Sequence, residues 1–600
     1  MGKLKGDQLD LFWSSIESIG ESIWGPLTFI GLLGAGILFT LWTKITQYRV
    51  MTHGIDVVKG IYDDPDDPGA INHFQALSAA LSATVGLGNI AGVALAIGAG
   101  GPGALVWMWI VGFFGMALKN VEITLAMMYR DTSDPDNPSG GAMHVVKQVL
   151  GDKGPFLATV GKIAGALFCV TLIISTITGG NMFQAWSVAG LSESYFGIPK
   201  LATGIILAMI VGMVILGGIR RIGTVAGKLV PFMCLLYLFS GIAVLVINAG
   251  KIPEVFSLIF SSAFGEAEAS GAFIGGTLGY AFMVGMKRAL FSNEAGQGSA
   301  PIAHAAAKTD EPAREGIVGG LGPFIDTICI CTLTALVILT TDTWNRPAVG
   351  ELGAPISLTR TLDEDENMIF SVESAATVGD LPEQRLDDWS TGDKFFLRAQ
   401  VDGATHEDRN NNLVLVRGKV VTGAVDPERP DAPTSLGIEW DTGELSATEW
   451  QGILGDISLE KSEQGGHGVY RDYEGAQLTA FAFDRVFEGL GKWLVTIAAW
   501  LFAISTMISW SYYGEKGVTY LVGPGGVIPY KLIFLVLIVV GAYGIESANE
   551  MLLLADLGTG SMLVINIPII LGLGGLAVKC LRDYDRKFLA GEFKRNDGKE

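Results

Sequence analysis

Residues 82–92 read SATVGLGNIAG, three glycines (Gly86, Gly88, Gly92) and one uncharged amide, Asn89, inside an apolar segment long enough to cross a membrane. Glycine weakens a helix interior, and a buried amide in lipid is costly unless something satisfies it. The stretch therefore reads as a deliberate break in a spanning helix. Close small-residue packing, which the Gly88 to Gly92 spacing would suit, leaves Thr84 and Asn89 unexplained.

The surrounding chain supports that setting. Of 600 residues, 49% are hydrophobic and only 17% charged. Apolar runs of about 20 residues, each able to span a core of ~30 Å, recur near 22–46, 74–98, 101–129, 156–180, 200–219, 224–249, 272–298, 314–342, 487–513, 531–547 and 552–580. The expected fold class is an all-α polytopic membrane protein of about eleven spans with a small β-rich soluble insert. The start, MGKLKGDQLDLFWSSIESIG, lacks the features of a signal peptide. It reads as an amphipathic surface helix, with a disordered tail as the alternative. The five cysteines lie in or at the ends of apolar runs and read as small packing residues. The six histidines show no metal-ligand spacing.

Basic residues set the expected orientation. Lys44, Arg49 and Lys59, then Arg130, Lys147 and Lys153, then Arg220, Arg221 and Lys228 fall in alternate linkers, as do Lys516, Lys531 and the tail LRDYDRKFLAGEFKRNDGKE. The opposite linkers are poor in Lys and Arg or acidic. This places the N-terminus outside and the C-terminus in the cytoplasm of a cell-membrane protein. Residues 343–480 interrupt the pattern on the outer side with 26 acidic and 11 basic residues. There KFFLRAQVDG and NNLVLVRGKVVTG alternate like strands about the turn-forming DRNNN, against the alternative of a disordered acidic loop. LDEDEN (362–367) lacks the spacing of a defined calcium loop and reads as solvated charge. The expected organisation is an amphipathic segment and extra span at 1–50, a transporter core at 70–342, the insert at 343–480, the remaining core at 485–582 and a cytoplasmic tail at 583–600.

A second glycine-rich, polar stretch, GGTLGYAFMVGMKRALFSNEAGQGSAP (275–301), lies five spans after the first. Without the first span, ten remain, and each group of five opens on such a stretch. Five is odd, so the two halves face opposite ways. That is the pattern of an inverted-repeat secondary transporter with discontinuous helices at its midplane site. Unwinding frees N–H groups suited to a carboxylate and carbonyls suited to a small hard cation.

SATVGLGNIAGVALAI, GGPGALVWMWIVGFFGMALKNVE, FSNEAGQGSAPIAHAAAKTDEPAREG and STMISWSYYGEK together resemble the alanine or glycine:cation symporter family, the sodium:alanine symporters, over roughly 20–340 and 485–580. TVGLGN is also similar to the first broken helix of sodium-coupled neurotransmitter transporters. The resemblance implies the inverted-repeat fold and symport of alanine, glycine or similar small amino acids with Na⁺ as coupling ion, without cofactor or transition metal. It places substrate at Thr84, Gly86, Phe183, Trp186, Gly285, Thr506 and Trp510, the last as a lid four residues after Thr506. It places the cation at Ser82, Val85, Asn89, Ser505 and Thr506, the hydroxyls of Ser505 and Thr506 completing the site unless they only bond back to their own helix. Asp326, a carboxylate well inside a span, reads as charge-balancing or gating, or as a buried structural acid. Ser292, Asn293 and Glu294 read as an inner gate or a fold-fixing network. Lys119 and Glu122 read as a structural pair. One departure stands out: in NMFQAWS (181–187) the family usually has asparagine where this chain has Trp186.

The expected partners are a small neutral amino acid and the lipid bilayer, with no nucleic acid. The oligomeric state is open and compatible with a monomer. Alternatives are H⁺ coupling, another amino acid substrate, a substrate-sensing receptor or a channel. No nucleophile, base and oxyanion set suggests an enzyme. Because the motifs read on undisturbed either side of it, the insert is expected to be dispensable for basic transport.

Overall fold

The protein is described by a computed structural model, in which residues 2–64, 66–134, 138–264, 278–353, 475–545 and 548–596 are placed. Between 356 and 473 the described segments are 356–362, 368–374, 376–382, 389, 393–401, 413–422, 436–440, 443–445, 457–459 and 467–473. The acidic run 363–367 and the turn at 408–412 lie outside the described residues.

Apolar runs of this length have one low-energy form in lipid, the helix, because it satisfies every backbone group internally. Seven helices among the described residues are long and apolar enough to span: Ala104–Met128, Pro155–Phe196, Gly218–Ile247, Pro312–Thr340, Gly491–Val522, Pro524–Gly544 and Glu550–Leu589. Two bent pairs bring the number to nine: Trp13–Ile23 with Pro26–Trp42, bent 41°, and His73–Thr84 with Gly88–Gly100, bent 50°. Lys200–Ile215 is a shorter apolar helix, and Leu278–Asn293 lies in the seventh expected span. The chain is thus a mostly helical multi-pass membrane protein. The N-terminal segment is helical over Gly2–Ile23 and continues through its bend into the first apolar run.

Among the described residues, three short π-helical segments interrupt these spans: Gly88–Gly92, Thr178–Met182 and Phe324–Cys331. Each places an extra residue in the helical ladder, a feature frequent at functional sites. The second glycine-rich stretch behaves differently from the first. Leu278–Asn293 runs helical through Gly285, and the irregular part is 294–299, where Glu294, Gly296 and Gly298 have φ of +56°, +81° and +90°. A Cβ at Gly285 would meet the Ala104 carbonyl oxygen at 2.5 Å and the Trp107 Cβ at 2.9 Å. That glycine permits close packing on Ala104–Met128.

The interior carries charge that the polar loop at 294–299 helps satisfy. Lys119 Nζ donates to the Asn293 carbonyl at 2.8 Å rather than pairing with Glu122, whose Oε1 accepts from Asn566 Nδ2 at 2.5 Å. Ser299 Oγ donates to Glu294 Oε2 at 2.6 Å. Nearby, Glu315 is fully buried between two imidazoles. His73 Nδ1, at the start of the first broken helix, contacts Oε2, and His304 Nδ1 lies 2.5 Å from Oε1. One carboxylate therefore ties the start of the first broken helix to two neighbouring elements more than 200 residues further on, which carry His304 and Glu315.

The insert is a small antiparallel β domain. Its strands are β1 (Gly350–Glu351), β2 (Ile356–Leu362), β3 (Met368–Ser374), β4 (Lys394–Val401), β5 (Leu413–Thr422), β6 (Leu436–Trp440), β7 (Gly443–Leu445), β8 (Ile457–Leu459) and β9 (Gly468–Arg471). One sheet runs β1-β9-β4-β5-β6 with β8 also on β4, and the other β2-β3-β7. The expected β4–β5 pairing is present, with Leu397 opposite Val416 and Phe395 opposite Gly418. Alternate residues Phe395, Leu397 and Ala399 point into a core with Trp389, Val416, Val420 and Val469. The boundary drawn at 480 runs through a helix, Ala476–Asp484, which packs on the membrane core.

Replacing Glu315 with alanine leaves two buried imidazoles without an acceptor. An unsatisfied buried polar group costs about 1–3 kcal/mol, so Glu315→Ala should lower the thermal unfolding midpoint in detergent by several degrees. An unchanged midpoint would show that this tie does not hold the three elements.

Candidate functional site

The first broken helix stops being helical at Val85, whose φ and ψ are −77° and 86°. Two backbone N–H groups beyond that point lose their ladder acceptors, and two side-chain amides replace them. Asn89 Oδ1 accepts from Gly86 N at 2.8 Å, and Gln184 Oε1 accepts from Leu87 N at 3.0 Å. Both amides are anchored from behind. Gln184 Nε2 donates to the Gly179 carbonyl at 3.0 Å, and Asn89 Nδ2 donates to Asp326 Oδ1 at 2.6 Å. Gly179 and Asp326 each belong to another π segment. The three irregular helices are thus joined through the break.

Asp326 is fully buried and accepts three times: from Asn89 Nδ2, from Ser292 Oγ at 2.5 Å and from Thr327 Oγ1 at 2.9 Å. Asn293 Nδ2 reaches Thr327 Oγ1 at 3.0 Å, which joins the loop at 294–299 to the same network.

On the other side of the break, three groups meet the last turn of His73–Thr84. Thr506 Oγ1 lies 3.1 Å and Ser505 Oγ 3.5 Å from the Ser82 carbonyl oxygen, Ser505 Oγ donating back to the Phe502 carbonyl of its own helix at 3.0 Å, and Ser82 Oγ donates to the Ser505 carbonyl at 2.7 Å. Trp510 Nε1 donates to the Ala83 carbonyl at 3.3 Å. The approach needs glycine twice. A Cβ on Gly86 would sit 2.5 Å from Thr506 Oγ1, and one on Gly180 would sit 2.3 Å from the Trp510 ring.

Between these layers is a small cavity. Its wall includes Thr84, Gly86 and Gly88 of the break, Gln184 and Gly179, Phe291, Gln297 and Trp510. Of the residues expected at substrate, Thr84, Gly86 and Trp510 are on this wall, and Thr506 stands directly behind Gly86. Phe183 and Trp186 are not on it. Phe183 packs edge-on against Phe291 at 5.0 Å between centroids, and Trp186 stacks behind Phe183 at 6.4 Å. Gly285 is on the Ala104–Met128 face. Ser82, Asn89, Ser505 and Thr506 of the expected cation set gather at the break, while Asn89 is turned towards Asp326. Gln184, Phe291 and Gln297 were missed by sequence reasoning. The glycine pair Gly179–Gly180 inside a span, just before NMFQAWS, was the available signal for the first.

Comparison with known proteins adds an independent line. The model of the sodium:alanine symporter family matches residues 10–362 and 462–597. The sodium/alanine symporter AgcS of Methanococcus maripaludis is 33% identical over 589 residues, covering 98% of this chain and 99% of that protein. The probable sodium/glutamine symporter GlnT of Bacillus subtilis is 37% identical over 331 residues, 55% of this chain and 66% of its own length. The putative sodium/proton-dependent alanine carrier protein YrbD of the same organism is 37% identical over 333 residues, 56% and 65%.

Asp326→Ala removes the acceptor of three buried donors and frees the Asn89 amide. At about 1–3 kcal/mol for each unsatisfied group, it should destabilise the folded protein markedly more than Asp326→Asn, which keeps one acceptor for Asn89. Equal unfolding midpoints for the two variants would remove Asp326 as the anchor of the break.

Proposed function

The chain belongs to the sodium:alanine symporter family, and from that premise we propose that it imports a small neutral amino acid, alanine or glycine or a near relative, in symport with Na⁺ across the cell membrane. The eleven-span, five-plus-five inverted-repeat layout, with the N-terminus outside and the C-terminus cytoplasmic, is part of this proposal. One observation carries it. The backbone break, the Thr506 hydroxyl on the Ser82 carbonyl with Ser505 beside it, and a small cavity all meet within residues 82–88, 505–506 and 510.

In this reading the substrate lies in the cavity beneath Trp510, with its carboxylate towards Gly86, Leu87 and Gly88. There it competes with the amide oxygens of Asn89 and Gln184 for the N–H groups of the break. The break then keeps its hydrogen bonds with or without substrate, which lowers the cost of exchanging one state for the other. Na⁺ takes the Ser82 carbonyl, the Ser505 and Thr506 hydroxyls and the Val85 carbonyl. Without the ion, the Thr506 hydroxyl donates to the Ser82 carbonyl and the Ser505 hydroxyl to the Phe502 carbonyl one turn back. With it, they turn and present lone pairs, the hard oxygen ligands a small cation requires. Asp326, held behind Asn89, adds negative charge close to the site without contacting the substrate. Proton coupling is the second reading, supported by the name of the YrbD relative.

The test is uptake of labelled alanine, glycine and glutamine by proteoliposomes under a Na⁺ gradient, under a H⁺ gradient and under neither. Uptake that ignores Na⁺ would overturn the Na⁺ reading. Thr506→Ala should weaken the apparent affinity for Na⁺ by about tenfold or more, since it deletes one charge-facing ligand worth roughly 1.5–3 kcal/mol; an unaltered Na⁺ dependence would take Thr506 out of the ion site. Substrate choice is assigned to the cavity wall. Phe291→Ala should therefore admit larger amino acids, while Trp186→Asn, one ring behind the wall, should alter the rank order less. Competition binding of an amino acid panel to both variants checks this.

A further inference from the structure

The insert meets the membrane core along one seam built around Arg346, six residues past the end of Pro312–Thr340. Its guanidinium Nε donates to the Arg471 carbonyl at 2.9 Å, Nη2 contacts the same oxygen, and Nη1 reaches the Thr343 carbonyl at 3.3 Å. The same group lies over two rings, 5.4 Å from the centroid of Phe396 on β4 and 5.4 Å from that of Tyr473. Tyr473 stacks at 4.5 Å on Phe481 of the helix Ala476–Asp484. That helix is seated on the break. Thr479 Oγ1 donates to the Ile90 carbonyl at 3.0 Å, with Thr479 and Ile90 both fully buried. At Gly475 the chain turns with φ of +54° so close to Ala91 that a Cβ would lie 3.3 Å from the Ala91 Cβ. Tyr195 OH donates to the Gln477 carbonyl at 3.2 Å and holds the same helix from the side.

A continuous path therefore runs from a strand of the insert to the π segment Gly88–Gly92: contacts join Phe396, Arg346, Tyr473 and Phe481, the helix Ala476–Asp484 carries Phe481 and Thr479 on one rigid element, and Thr479 bonds Ile90. Planar stacking and bidentate donation make Arg346 a stiff joint. The buried Thr479 bond fixes the far end.

We propose that the insert is a working part of the transport cycle: through Arg346, Tyr473 and Thr479 it positions the outer segment of the first broken helix and sets how readily the break changes shape. These are positioning residues, since none lines the cavity. The proposal rests on the transport reading above, and it leads to the opposite expectation from the one drawn from the sequence, that the insert is dispensable.

The experiment uses the full chain in proteoliposomes, with Thr479→Val, Thr479→Ser and Arg346→Met. Two quantities are read for each: the KM and maximal rate of Na⁺-driven alanine uptake, and hydrogen–deuterium exchange of the amides of residues 84–95. Loss of one buried hydrogen bond corresponds to roughly 3- to 10-fold in an opening equilibrium. Thr479→Val and Arg346→Met should therefore each raise exchange across 86–93 by about that factor and shift the maximal rate with little effect on KM. Thr479→Ser, which keeps the hydroxyl, should restore both. Faster exchange with unchanged kinetics would overturn the proposal, because the seam would then be structural only. So would Arg346→Met matching the wild type while Thr479→Val does not, because the insert would then be uncoupled from the helix that carries Thr479. Should Arg346→Met not fold, Arg346→Lys, which keeps the charge and loses the planar fork, takes its place with the same expected outcome. A wild type that moves no alanine under a Na⁺ gradient would count against the transport reading instead, and exchange at 86–93 would still report on the seam.

Discussion

Two backbone N–H groups, those of Gly86 and Leu87, govern the arrangement of the membrane core. A helix broken in lipid must find acceptors for the donors it frees, because no water is present to take them. Asn89 and Gln184 supply those acceptors, and each is held from behind by a different irregular helix. The break cannot be moved without disturbing the π segments Thr178–Met182 and Phe324–Cys331. This accounts for the three irregular segments lying together, and for a carboxylate as costly as Asp326 sitting beside them with three donors.

The break itself was legible in the sequence, because glycines together with Thr84 and Asn89 inside an apolar run exceed what close packing alone explains. Ser505, Thr506 and Trp510 were legible through their motif, and the strands β4 and β5 through alternation. The location of the second irregular stretch was not. Gly285 was expected at the substrate, yet a glycine can equally serve contact, and there it lets a neighbouring helix backbone approach. The real departure from helix needs positive φ at Glu294, a residue type that carries no such signal. Gln184 was hidden for a different reason. Its role depends on an N–H 97 positions earlier in the chain, and spacing within one segment cannot reveal it. The same holds for Glu315 between His73 and His304, and for the strand order of the insert, where β9 lies between β1 and β4.

Lys119 and Glu122 show how proximity along a helix can mislead. Three residues apart, they suggest a pair, yet each is satisfied by a distant partner, Asn293 and Asn566. In a low-dielectric interior a well-placed neutral partner avoids the geometric demands of a buried ion pair. The polar loop at 294–299 profits, since its backbone is fixed by side chains of the surrounding spans.

The first and last strands of the insert pair with each other, Gly350 opposite Val469 and Glu351 opposite Gly468. The domain therefore enters and leaves the membrane core through one narrow stalk, however much chain lies between. Loop-closure entropy grows only as the logarithm of length, so a hundred residues or ten can be carried there at nearly the same cost to the spans. A domain with adjacent termini could thus be grafted at this point without refolding the spans, and what such a graft would lose is the coupling through Arg346.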